Sequence, residues 1–284
     1  MTTIADQRKE IRLPAGPIRY REAGEGEPIV FVHGYLVDSR LWGGVVDSLA
    51  DRFRCLAPDW PLGAHKAAMD PDADLTPTGL ANLIADFLEE LDLEDVTIVG
   101  NDSGGAISQI LATTRPERIG RLVLTNCDTH DNFPPGIFKV LPPLAKLPGG
   151  IVALSAPFRI PPVARMAFAP FSRSGIPKEW ISDWIGAATG DKGVLRDLGK
   201  VTAGLEKRYT EEAAEKLRGS QLPIRLLWAP GDRLFPISYA ERLAGEAGNA
   251  EVVRIPDSST FVPLDQPGRV AEEIAEFAGS PVAA

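Results

Sequence analysis

The run Val96-Thr97-Ile98-Val99-Gly100-Asn101-Asp102-Ser103-Gly104-Gly105 holds the residues best spaced for chemistry. Its first four residues read as a buried strand, and the glycines after them as a tight turn that opens a helix. Where strand and helix meet so sharply, glycines two before and two after the central residue are needed. The backbones there approach too closely for side chains. Gly100 and Gly104 fill those places around Asp102, which puts its carboxylate at the nucleophile position, on a strained turn above the sheet. The neighbouring register centres on Ser103, with Asn101 and Gly105 at the small positions. The symmetric glycines favour Asp102.

A carboxylate is ionised at pH 7, with a reference pKa of about 3.9. In a dry pocket its pKa rises, and it can then act as a general base. Imidazoles that could assist are few: the chain has three histidines, His33, His65 and His130.

The elements that must position these groups alternate. Ile29 to Val32 is an apolar run ending at His33-Gly34, and Arg54 to Pro58 and Val96 to Val99 are two more short strands. Thr76-Pro77 opens a helix through Leu91, whose Leu80, Leu83, Ile84, Phe87, Leu88 and Leu91 form one apolar stripe. A second helix, Gly105 to Arg115, stops near Pro116, and Leu122 to Thr125 is a further strand.

After Asn126 the texture changes. Ten of the 25 prolines lie between Asn132 and Gly190, among aromatics such as Phe138, Phe158, Phe168, Phe171, Trp180 and Trp184. Proline blocks long helices, so this is predicted to be a group of short ones. A charged helix from Thr210 to Arg218 precedes strand Ile224 to Trp228, helix Ile237 to Ala244, strand Glu251 to Ile255 and helix Gly268 to Phe277. The pattern predicts an α/β fold with a mostly parallel sheet flanked by helices. Residues 1–128 and 210–284 form its core and 129–209 an inserted helical cap.

Four landmarks in chain order now resemble the α/β-hydrolase superfamily, whose sheet has eight strands. Besides the turn at Asp102, His33-Gly34-Tyr35 is similar to its oxyanion loop. Gly231-Asp232-Arg233-Leu234-Phe235-Pro236 is similar to the loop of its acid, with Asp232 in that position. Ile255-Pro256-Asp257-Ser258-Ser259-Thr260-Phe261-Val262-Pro263 is similar to the loop of its histidine. Members with an Asp nucleophile include haloalkane dehalogenases and epoxide hydrolases. Their carboxylate attacks carbon to give an ester, which a His-activated water cleaves. The resemblance implies an oxyanion site made by the backbone N–H groups of Tyr35 and Ser103, the latter at a helix start.

The chain departs from that pattern at one decisive place. Thr260 stands where the histidine belongs, and threonine is no base near neutral pH. Ser103 stands where haloalkane dehalogenases carry a halide-binding Trp, and Tyr35 where they carry Asn. The 132–190 segment has no Tyr, the residue with which epoxide hydrolases open the oxirane. His130 is a candidate replacement base, because Asp128-Thr129-His130 follows a strand whose carboxyl end faces the same crevice. It also reads as a surface residue of a polar loop. His33 reads as a brace of its loop, and His65 as a loop residue that either touches ligand or does not. Asp232 is either functional or a loop acceptor. Trp180 and Trp184, four apart, either pack the cap onto the core or line a substrate cavity.

Composition bounds the rest. With 284 residues, 44% apolar and 24% charged, the chain is globular and not disordered. A net charge of −9 and pI near 5.0 argue against a nucleic-acid binder and against a surface for anionic lipid. No apolar run nears the roughly 20 residues of a membrane span, and Met1 to Leu13 lacks a signal-peptide stretch. The expected compartment is the cytoplasm. Cys55 and Cys127 make neither a disulfide framework nor a metal site. No dinucleotide or phosphate loop is present, so no cofactor is expected.

The expected partner is a hydrophobic or polycyclic small molecule of specialised metabolism; the sequence sets no oligomeric state. Three readings stay open. One is an Asp102-dependent hydrolase of an epoxide, carbon–halogen bond or ester, with water activated by His130 or by Asp102. The second is a general-base isomerase, lyase or cyclase, and the third a non-catalytic ligand binder.

Overall fold

The computed structural model describes residues 8–279. The chain begins with a hairpin, β1 (Arg8–Leu13) and β2 (Gly16–Ala23), that no apolar run announces. In β2 only alternate residues, Gly16, Ile18 and Tyr20, are buried, as suits a strand near the sheet edge. After β3 (Pro28–Val32) come α1 (Gly43–Leu49), β4 (Arg54–Pro58), α2 (Pro77–Glu90), β5 (Val96–Asp102), α3 (Ser103–Thr114) and β6 (Ile119–Cys127). The segment then turns helical: α4 (Leu141–Ala145), α5 (Gly150–Ser155), α6 (Pro161–Phe168), α7 (Lys178–Gly190) and α8 (Lys192–Gly204). The sheet resumes after α9 (Lys207–Leu217), with β7 (Ile224–Trp228), α10 (Ile237–Glu246), β8 (Ala250–Arg254), α11 (Val262–Asp265) and α12 (Pro267–Ala278).

The eight strands form one sheet in the order β1-β2-β4-β3-β5-β6-β7-β8. β1, β2 and β4 pair antiparallel, and every pairing from β4 to β8 is parallel. Side-chain alternation feeds two cores. Val30, Val32 and Ile98 join residues of α2, α3 and α10 on one face. Ile29, Phe31 and Val99 join residues of α1 and α12 on the other. Both faces of β3 and β5 are therefore apolar, which is why those strands read as unbroken apolar runs.

Prolines shape the cap by position. Pro142, Pro157, Pro161, Pro162 and Pro170 all lie in the first turn of a helix or 3₁₀ turn, where the missing N–H costs nothing. The two long helices, α7 and α8, contain no proline. Thr76 caps α2 by accepting from the Gly79 amide, and Asp191 caps α8 through the amides of Gly193 and Val194. α9 starts at Lys207, three residues before the expected Thr210, and packs against α3.

Candidate active site

Asp102 ends β5 with φ +54° and ψ −132°, a conformation that few residues other than glycine adopt. Close approach explains the glycines around it. A Cβ on Gly100 would lie 2.6 Å from Ser108 Oγ and 2.7 Å from the Gly105 Cα, and one on Gly104 would strike the carbonyls of Val32 and His33. A Cβ on Gly34 would collide with the Asp102 carboxylate itself. The turn is thus strained where β5, α3 and the loop after β3 converge.

That convergence holds the Asp102 carboxylate. Its Oδ2 accepts from the Tyr35 amide at 3.1 Å. Burial raises its pKa to about 7; the amides of Tyr35 and Ser103 pull it down, and the Asp232 charge pushes it further up. The loop carrying Tyr35 is braced from below. His33 donates from Nδ1 to the Gly34 carbonyl at 2.9 Å, and its Nε2 accepts from the Trp60 amide at 2.9 Å. Both ring nitrogens are committed, and burial lowers the pKa of His33, so it is a neutral brace. The Tyr35 hydroxyl meets Thr202 Oγ1 in α8 at 2.6 Å. Because Thr202 spends its own proton on the Leu198 carbonyl, the phenol is the donor, and burial raises its pKa to about 12.

Behind Asp102 lies a second polar cluster. Asp232 Oδ2 accepts from Thr260 Oγ1 at 2.8 Å and from Asn126 Nδ2 at 2.9 Å. Its Oδ1 accepts from the amides of Leu234 and Phe235. Burial raises the Asp232 pKa against these four donors. Thr260 is fully buried, and its carbonyl accepts from Asn101 Nδ2 at 2.7 Å. Thr260 therefore touches both Asp232 and the residue next to Asp102.

Asp102 faces a cavity of about 150 Å³ beneath the cap, comparable with one that holds a benzene-sized molecule. Its walls include Phe138, Phe158, Phe168, Phe171 and Phe261. Among the described residues, its polar lining is Tyr35, Asp102, Ser103, Ser155 and Thr189. The hydroxyls of Ser155 and Thr189 are spent on helix carbonyls. No cation lines it, so an uncharged apolar molecule is what it suits.

The other residues singled out from the sequence lie elsewhere. His130 turns away from the cavity at a φ of +51°. Its Nε2 lies 3.1 Å from Glu246 and its Nδ1 3.1 Å from Thr129 Oγ1, beside a polar depression with Lys207 and Arg242. His65 is buried, with Nε2 3.3 Å from Asp197 in α8, and joins the cap to the core loop. Neither lines the cavity.

Trp180 and Trp184 stand 6.0 Å apart, with the Arg40 guanidinium 5.5 and 5.9 Å from their rings. They pack the cap against the Asp38–Arg40 turn, and phenylalanines line the cavity in their stead. Two residues near the centre carry signals the sequence leaves faint. Asn126 bridges the Ala229 amide and Asp232. Asp128 is fully buried just past β6, and burial and the Asp102 charge push its pKa well above the carboxylate range. A carboxylate at a strand's carboxyl end beside the turn was the only sign of it.

The sequence model of the alpha/beta hydrolase fold family matches residues 27–267. Haloalkane dehalogenase 2 of Mycobacterium bovis is 28% identical over 275 residues, 93% of this chain and 92% of its own. Among solved structures, an epoxide hydrolase without ligand gives a TM-score of 0.80 at 19% identity, over 95% of this chain and 98% of its own. A haloalkane dehalogenase from Agrobacterium tumefaciens C58 gives 0.78 at 21% identity, over 98% of each.

Proposed function

Because the chain belongs to the alpha/beta hydrolase fold family, we propose that it is an enzyme whose reactive group is Asp102 and whose substrate is an uncharged apolar small molecule. The bond opened is that of an epoxide, a carbon–halogen pair or an ester. One observation carries the reading: a buried carboxylate with one oxygen held by the Tyr35 amide, set in an otherwise almost wholly apolar wall. Similarity to a haloalkane dehalogenase and an epoxide hydrolase supports the same chemistry.

In the first step the ionised Asp102 oxygen bonds to the electrophilic carbon, and the electron pair of the broken bond leaves on halide or oxygen. The amides of Tyr35 and Ser103 hold the oxygen that becomes the ester carbonyl and take up its charge when water attacks. Under this reading Thr260 replaces the family's histidine. A base there is typically worth about 10²–10⁴ in rate, and no imidazole lines the cavity. The ester forms quickly and is hydrolysed slowly.

A second reading has its own support in the Asp102 pKa of about 7. A group balanced near neutrality suits a general base, which takes a proton from water or from the bound molecule and returns it within the cycle. No second base is then needed. The chemistry is hydrolysis without an ester, or isomerisation, elimination or cyclisation.

Intact-protein mass after incubation with epoxides, haloalkanes and activated esters separates the two. A retained adduct with a burst of leaving group is expected from covalent attack. Turnover without adduct, with an oxygen from labelled water when the reaction is hydrolysis, supports the general base. Inertness toward all three classes would contradict the covalent reading and favour a ligand-binding role.

A further inference from the structure

The outer face of the cap differs from the rest of the molecular surface. Among the described residues, the large exposed hydrophobics are Ile137, Val140, Leu144, Leu147, Val152, Ile160 and Met166. All seven fall within thirty residues of one another, in the 3₁₀ turn before α4, in α4, α5 and α6, and in the turns that join them. Ile137, Val140, Leu144 and Leu147 recur at spacings of three and four, which stacks them on one side of a helical path. The same stretch sends Phe138, Leu141, Ile151 and Leu154 inward to the cavity. These short helices are apolar on both sides, which an ordinary surface helix is not.

Charge is as unevenly placed. From Asn132 to Lys178 the chain carries six cations (Lys139, Lys146, Arg159, Arg165, Arg173 and Lys178) and no carboxylate, so all 39 Asp and Glu residues lie outside it. The net charge of −9 conceals a basic region. Lys146 pairs with Glu206 and Lys178 with Glu179. Arg159 donates to the Thr189 carbonyl and Arg173 to that of Ser258. Lys139 and Arg165, both exposed, make no ion pair among the described residues; Lys139 lies within the apolar row and Arg165 beside Met166 in α6.

We propose that this outer cap face seats on an anionic lipid surface, apolar side chains in the interface and Lys139 and Arg165 among the headgroups. Exposed apolar groups interleaved with cations are what such a surface binds. A second copy of the chain is a poorer fit, because a symmetric contact would bury Lys139 and Arg165 of both copies in a segment that supplies no carboxylate of its own. Among the described residues no helix is long and apolar enough to cross a membrane, so the proposed contact lies on the bilayer and does not span it. The proposal is independent of which reaction Asp102 performs. The same stretch lines the cavity on its inner side.

Co-sedimentation with phosphatidylcholine vesicles, with and without phosphatidylglycerol, tests it. The full chain is expected to bind only the anionic vesicles, and less as salt rises. Lys139→Gln with Arg165→Gln should weaken binding about tenfold or more, and Ile137→Ser with Val140→Ser and Leu147→Ser should remove most of it. All five residues are exposed, and circular dichroism confirms folding; should the serine variant unfold, the glutamine variant carries the test. No binding of the parent chain, or equal binding to neutral vesicles, would overturn the proposal. So would a dimer in analytical ultracentrifugation that the serine variant dissociates.

Discussion

The Thr260 hydroxyl donates to Asp232 Oδ2 across 2.8 Å, while the carbonyl of the same residue accepts from Asn101, the neighbour of Asp102. Under the proposed function this hydroxyl stands where an imidazole would carry a proton. Thr260→His should restore a base and speed ester hydrolysis by about 10²–10⁴, at a packing cost of about 1–3 kcal/mol in so buried a site. Stopped-flow detection of the leaving group checks this. The burst should merge into a faster steady state; an unchanged burst in a folded variant would speak against Thr260 as the missing base.

Thr260→Val tests the same hydrogen bond from the side of stability. The shape is nearly kept, but Asp232 loses one of four donors, a loss of about 1–3 kcal/mol. Denaturant unfolding should register it, while the rate of the first turnover stays near that of the parent chain.

Asp102 links folding to pH. Burial raises its pKa to about 7, against about 3.9 in an unfolded chain. Between those values the folded protein keeps a proton that the unfolded chain has released. The contribution of this group to stability is therefore complete below pH ~4 and is lost as pH rises through about 7. Asp102→Asn should gain on the parent chain between pH 5 and pH 8, by on the order of 3 kcal/mol at most. Unfolding curves at the two pH values check the difference. An offset that does not change with pH would mean that Asp102 ionises normally.

Reaction rate should carry the same signature. Attack on carbon and proton abstraction both need the ionised carboxylate, so the single-turnover rate should climb with pH and level above about 7. A profile already flat from pH 5 would contradict the raised pKa.

Tyr35→Phe separates the amide from the phenol. The amide that holds Asp102 stays, whereas the bond to Thr202 that ties the loop to α8 is lost, at about 1 kcal/mol. KM is expected to rise several-fold with little change in the single-turnover rate. A loss confined to kcat would instead assign the phenol a direct part in the chemistry.

The turn at Asp102 was legible because its cause is local. Close backbone approach demands glycine at 100 and 104, and the structure has the collisions that any side chain there would make. The alternating elements were legible for a similar reason, since β3 and β5 are apolar on both faces. Partnerships across long stretches of chain were not. His130 is turned outward toward Glu246, 116 residues away, and Trp180 and Trp184 are claimed by Arg40. Nothing in their neighbouring residues announces either contact. The β1–β2 hairpin escaped because its strands lie near the sheet edge, β1 with a mostly exposed, charged sequence. The basic, apolar cap face escaped because net charge averages it away.

Paired variants test most directly whether Asp102 is the reactive group. Single-turnover rates of Asp102→Asn and Ser103→Ala are measured on the first substrate found among epoxides, haloalkanes and activated esters. Asparagine keeps the shape but has no charge to attack carbon or accept a proton, and alanine keeps the backbone amide that Ser103 supplies. The expected result is abolition in Asp102→Asn and retention of most activity in Ser103→Ala. Abolition in Ser103→Ala with activity kept in Asp102→Asn would shift the reactive centre by one residue and contradict the account.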